Sequence, residues 1–168
     1  MMDASDISLC IPLQQLMDEH VSLRVEMELF YEITEEIEYD SGPTVGQLFA
    51  QLYERVSAFT KVLKAHSQRE EEGLFPLMAR HLGVDDRTIE TMEFEHEKAE
   101  QHLQDFLREA ELVLDEDDSR AVSVYAVQAY TTLTQHFAKE EKMLFPLAEQ
   151  ILTADEKEEL ARRVDRRK

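Results

Sequence analysis

Hydrophobic residues recur at alternating steps of three and four along most of this chain, the spacing that gathers them on one face of an α-helix. Four long segments carry the pattern. The first begins near Pro12 and turns Leu13, Leu16, His20, Leu23, Met27, Phe30, Thr34 and Ile37 inward. Ser41-Gly42-Pro43 breaks it. The second reads Val45, Leu48, Leu52, Val56, Phe59, Leu63, His66, Glu70, Leu74, Leu77, and is expected to end near Leu82-Gly83 with the glycine as a left-handed cap. Asp85 or Asp86 should cap the third, whose stripe is Ile89, Met92, His96, Ala99, Leu103, Phe106, Ala110, Val113. After an acidic connector, Asp115 to Asp118, the fourth gives Val122, Tyr125, Ala129, Leu133, His136, Glu140, Met143, Leu147. Thr153 then precedes Glu156 at the spacing of a capping box, opening a short fifth helix.

Long helices with short connections predict an all-α fold, an antiparallel up-down-up-down four-helix bundle. One domain is expected over 1–168, with the bundle core at about 10–150 and the C-terminal helix and basic tail at 153–168. Pro76 and Pro146 fall within the second and fourth patterns, and each should kink its helix or begin its end, because proline removes a backbone donor.

The chain also repeats itself. His66-Ser67-Gln68-Arg69-Glu70-Glu71-Glu72-Gly73-Leu74-Phe75-Pro76-Leu77 returns 70 residues later as His136-Phe137-Ala138-Lys139-Glu140-Glu141-Lys142-Met143-Leu144-Phe145-Pro146-Leu147. The second helix pair thus reads as a copy of the first, related to it by a pseudo-two-fold axis. Within each block the histidine and first glutamate are one turn apart on the apolar face. A lone carboxylate in that position is costly to bury and would tend to neutralise. A shared cation removes the cost, and imidazole with carboxylate suits iron, manganese or zinc. His20 and His96 stand on the inward stripes of the other two helices. Four imidazoles and two carboxylates exceed what one ion takes alongside an open position, whereas two ions fit, with Glu70 and Glu140 as bridges. His20 and His66 would complete one ion, and His96 and His136 the other.

Composition narrows the partners. Eighteen basic residues against 37 acidic ones leave a formal charge of −19, which would repel nucleic acid. Arg162, Arg163, Arg166, Arg167 and Lys168 read as the solvated end of the last helix, where cations suit the dipole. Cys10 is the only cysteine, so neither an internal disulfide nor a thiolate cluster is expected. No apolar run approaches the roughly 20 residues needed to cross a bilayer. Met1 to Ser8 lacks the basic start and apolar stretch of a signal peptide. The expectation is a cytoplasmic protein with no membrane partner.

These motifs resemble the hemerythrin-like family of HHE cation-binding domains. The resemblance rests on Pro12-Leu13-Gln14-Gln15-Leu16-Met17-Asp18-Glu19-His20, on the two His-x-x-x-Glu-Glu-x-x-Leu-Phe-Pro blocks and on Glu95-His96-Glu97, and spans about residues 10 to 150. It implies a bundle binding two non-haem iron ions, bridged by an oxo or hydroxo group and two carboxylates, with His20, His66, Glu70, His96, His136 and Glu140 as ligands. One position departs from the family's oxygen carriers, which have a second histidine four residues after the third-helix ligand. Here that residue is Glu100, which argues against simple oxygen carriage and is expected to stay beside the ions rather than on them. Glu71 and Glu141, next to the bridges, are candidates for hydrogen bonds to histidine. His81 and His102 are expected at the surface, and Tyr125 in the core. The implied function is binding or sensing of dioxygen or a related small oxidant, nitric oxide or peroxide, with iron storage in the same class. The enzymatic alternative is turnover of nitric oxide or peroxide, or iron donation in iron–sulfur cluster repair. Nothing identifies a protein partner.

Overall fold

A computed structural model describes residues 8–165. The stretch read for a signal peptide, up to Ile7, and the tail residues Arg166, Arg167 and Lys168 lie outside it.

Five continuous helical segments make the fold. They are α1 (Ile11–Tyr39), α2 (Pro43–Gln68) running through a π-helical turn (Arg69–Leu74) into α3 (Phe75–Ala79), α4 (Thr88–Ala110), α5 (Glu116–Lys139) running through a second π turn (Glu140–Leu144) into α6 (Phe145–Ile151), and α7 (Ala154–Arg163). No strand occurs among the described residues. The long helices pack as the expected bundle, α1 against α2, α2 against α4, α4 against α5 and α5 back against α1. Proline opens α1 and α2 within their first two positions, where its missing donor costs nothing. Gly42 makes the turn between them at φ 78° and ψ −158°, a region essentially restricted to glycine.

Several helix ends differ from expectation. The second segment stops at Ala79, and Gly83 takes no left-handed conformation. Arg87 occupies the N-cap position of α4, with Asp86 accepting from the backbone N–H of Thr88 one residue further on. α4 ends at Ala110, leaving Val113 in the connection. The acidic run is less a connector than a helix start. Asp115 caps α5 by accepting from the Asp118 N–H, and Glu116, Asp117 and Asp118 form the first turn, where negative charge suits the dipole. The capping box of Thr153 and Glu156 is present on α7.

Pro76 and Pro146 stand at the second position of α3 and α6, the short helices that close their segments. Each follows a π turn in which the preceding phenylalanine N–H reaches five residues back, Phe75 to the Glu70 carbonyl and Phe145 to the Glu140 carbonyl. The wider turn relieves the clash that a proline ring makes with the carbonyl four residues earlier. At Pro76 that carbonyl belongs to Glu72, and Arg163 of α7 donates to it and to the Gly73 carbonyl. Gly73 packs closely here: an added Cβ would lie 3.3 Å from side-chain atoms of Arg163 and Val164, which would have to give by a few tenths of an ångström. The π turn also rotates the inward face, so Leu144 is buried where Met143 was expected and Met143 is 49 % exposed, while the expected Leu147 packs half-buried against the smaller cluster beside buried Ala148.

Two apolar clusters result. The larger fills the end of the bundle near the α1–α2 and α4–α5 connections, with Phe30, Ile37, Val45, Leu52, Phe59, Leu103, Phe106 and Leu133. The smaller, with Leu13, Leu16, Leu74, Phe75, Met92 and Phe145, is closed by Leu160 and Val164 of the C-terminal segment. Between them lies a buried polar layer.

Candidate metal centre

Each long helix turns one histidine into that layer: His20 from α1, His66 from α2, His96 from α4 and His136 from α5, all at most 3 % exposed. Glu70, the second residue of the first π turn, and Glu140, the first of the second, are fully buried beside them. All six expected ligands therefore meet. They form two groups, His20–His66–Glu70–Glu140 and Glu70–His96–His136–Glu140, with one donor atom per residue and all atoms of a group within 4.8 Å. Both carboxylates belong to both groups. Each group could hold a metal ion. Glu100 belongs to neither.

The imidazoles are aimed by a closed ring of carboxylates. Glu19 accepts from His66 Nδ1 at 2.7 Å, Glu71 from His96 Nδ1 at 2.9 Å, Glu95 from His136 Nδ1 at 2.9 Å, and Glu141 from His20 Nδ1 at 2.8 Å. Each helix thus holds its neighbour's histidine, round all four. An ionised carboxylate can only accept, so Nδ1 carries the proton and Nε2 of a neutral ring turns a lone pair inward. Glu71 and Glu141 were readable from their position after the bridging glutamates. Glu19 and Glu95 were missed, although each directly precedes a ligand histidine, the same signal in mirror image.

The inner atoms lack partners. None of the four Nε2 atoms, nor any of the four oxygens of Glu70 and Glu140, makes a hydrogen bond. His136 Nε2 is 2.7 Å from Glu140 Oε1 and His96 Nε2 is 3.0 Å from Glu70 Oε1. Those separations are short, but their angles do not serve a hydrogen bond. Eight buried polar atoms without partners in one layer would be costly in a metal-free core, and they are the donor atoms a cation needs.

Electrostatics point the same way. Burial, and then the charge of Glu70, push Glu140 well above the carboxylate range. Burial also opposes charge on Glu70, but His66 and the contacts with Glu140 and His96 hold it well below that range. Burial disfavours the charged form of His66 and His96, yet Glu70 with Glu19 raises the first to about 9, and Glu70 with Glu71 raises the second to about 9. Burial and then the charge of His96 lower His136 to about 4, and burial lowers His20. Protons distributed in this way do the work that a bound cation's charge would do.

A family model for the hemerythrin HHE cation-binding domain matches residues 11–148. The chain belongs to that family. A search of curated proteins finds no match. The hemerythrin-like match takes in all six expected ligands and stops before α7. Of the remaining candidates, His81 is exposed, as expected, and its ring pairs with Glu156 on α7 at 2.6 Å, a contact unexpected from sequence. His102 is half-buried on α4, and Tyr125 packs half-buried against the larger apolar cluster. No described helix is long and apolar enough to cross a membrane.

Proposed function

We propose that this chain holds two non-haem iron ions, one between His20 and His66 and one between His96 and His136, with Glu70 and Glu140 bridging both. The centre binds or senses dioxygen or a related small oxidant such as nitric oxide or peroxide. The observation that supports this most is the pair of overlapping donor groups that share both carboxylates and whose inner atoms have no other partner. Two imidazoles with carboxylate oxygens form the kind of donor set that leaves positions open on non-haem iron. When bound, such a pair supplies one-electron chemistry toward a small oxidant.

The chain's own residues prepare the site for that chemistry. Glu19, Glu71, Glu95 and Glu141 fix the ring tautomers by holding the proton at each Nδ1. Phe137 stacks on His20 with ring centroids 4.1 Å apart, Phe145 lies 5.5 Å from the same ring, and Phe75 stacks on His96 at 5.7 Å. These rings exclude bulk water from the layer, where a low dielectric strengthens the electrostatic contacts.

The test is optical. Protein purified without oxygen, loaded with ferrous iron and then exposed to air should gain a near-ultraviolet band, and Glu70→Ala should lose it. An iron-loaded protein whose spectrum ignores air, or a band that survives Glu70→Ala, would overturn the reading.

A further inference from the structure

The two halves of the centre are related by the chain's internal repeat but are finished differently at their outer corners. Three of the four carboxylates that hold a histidine are themselves held by a cation. Arg69 pairs with Glu19 at 3.0 Å, Lys139 with Glu95 at 2.5 Å and Arg24 with Glu141 at 2.5 Å. Glu71 differs. Among the described residues no lysine or arginine pairs with it, and it is 37 % exposed, the most of the four.

The repeat shows what is missing. Arg24 stands four residues after His20, and the residue four after His96 is Glu100. A cation that closes the α1–α5 corner is thus replaced by an anion at the α2–α4 corner. The apolar cover changes as well. Phe137 stacks on His20, and its counterpart 70 residues earlier is Ser67, which brings no ring to His96. His20 has Phe137 and Phe145 against it, whereas Phe75 alone plays that part for His96. The α2–α4 seam is also the most sparsely packed of the four. At its inner end stand His96 and Glu70, buried and with inner atoms unpartnered.

We propose that divalent cations reach the buried layer through the α2–α4 seam, with Glu71 and Glu100 as the acidic gateposts that draw the ion in and pass it to His96 and Glu70. The proposal rests on the metal-binding reading above and concerns the route, not the final ligands. At the other corners a positive side chain sits on the outer carboxylate, and an incoming cation would have to displace it. At this corner both outer side chains, Glu71 and Glu100, are carboxylates, so an incoming cation first meets a negative field. Such a field raises the local cation concentration and the on-rate, in a way that salt screens.

Loading kinetics test this without reference to any activity of the loaded protein. Metal-free protein is mixed with cobalt(II) in a stopped-flow instrument, and the rise of its visible ligand-field band is followed. Glu100→Arg gives this corner the cation that Arg24 supplies at its counterpart, and should slow loading roughly tenfold at low salt while leaving the final metal content unchanged. Glu100→Gln should slow it less. Glu111→Arg, the same charge change at the exposed far end of α4, should load like the unaltered protein. High salt should shrink the differences. Equal rates for Glu100→Arg, Glu100→Gln and the unaltered chain would overturn the route, as would equal slowing by Glu111→Arg. If the unaltered protein takes up no cobalt or iron at all, the metal-binding reading itself fails, a result distinguishable from equal rates.

Discussion

The larger apolar cluster and the polar layer beside it are built to different rules. Beyond the histidines, toward the α1–α2 turn, the interior is hydrocarbon and aromatic, with Phe30 edge-on to Phe59 at 5.2 Å and Phe49 beside Phe106 at 5.7 Å. Such a core needs only volume and shape, and any well-packed apolar set would serve. The polar layer sits one or two turns away in the same helices and obeys none of this. Its buried carboxylates and imidazoles lower stability unless a cation gathers them. The apolar end supplies the rigidity, and the layer uses that rigidity to hold donors that would otherwise relax toward one another.

Substitutions in the two regions should therefore have opposite signatures. The largest effect is expected from Glu70→Leu combined with Glu140→Leu. Metal binding should vanish while the metal-free protein becomes more stable by about 1–4 kcal/mol, as buried charge gives way to packed hydrocarbon. Metal analysis and urea unfolding would check both signs. Phe30→Ala should do the reverse, costing about 3–5 kcal/mol while the folded protein still binds metal. Glu95→Ala frees His136 Nδ1 and leaves the inner donors in place, so metal affinity should fall roughly 10- to 100-fold, measured by chelator competition.

The smallest effects belong to α7, outside both regions. Thr153→Ala removes the capping oxygen and should cost about 1 kcal/mol in thermal unfolding without altering metal content. Glu156 carries the pH dependence there. The Thr153 N–H and then His81 hold its carboxyl at about 2, against an ordinary 4.5. A depressed carboxylate contributes stability above its unfolded pKa and loses it as pH falls through the folded one. The α7 contribution should thus be intact above about pH 4.5 and fade toward pH 2, and Glu156→Gln should flatten that part of the pH–stability profile.

Much of this was readable from residue spacing, and what escaped it has a physical reason. The inward stripes place His20, His66, His96 and His136 correctly because a regular helix keeps one face over several turns. The same regularity misplaces Met143, since the π turn at Glu140–Leu144 adds a residue that a 3.6-residue period does not contain. Pro146 marked the spot, but proline alone does not distinguish a kink from a widened turn. The bridging glutamates stand out because a buried carboxylate needs a reason. Glu19 and Glu95 did not, because a glutamate beside an inward residue usually faces water, and only the neighbouring helix shows that each is occupied by a histidine. The clasp of Arg163 on the Glu72 carbonyl is a long-range contact that no local pattern encodes.

The most direct test counts ions. Native mass spectrometry of the chain loaded anaerobically with ferrous iron should show about two ions per folded chain, bound together with little singly loaded species, because the two donor groups share both carboxylates. A single ion that stays single at saturating iron would contradict the bridged arrangement, and a chain that retains none would contradict the metal centre altogether.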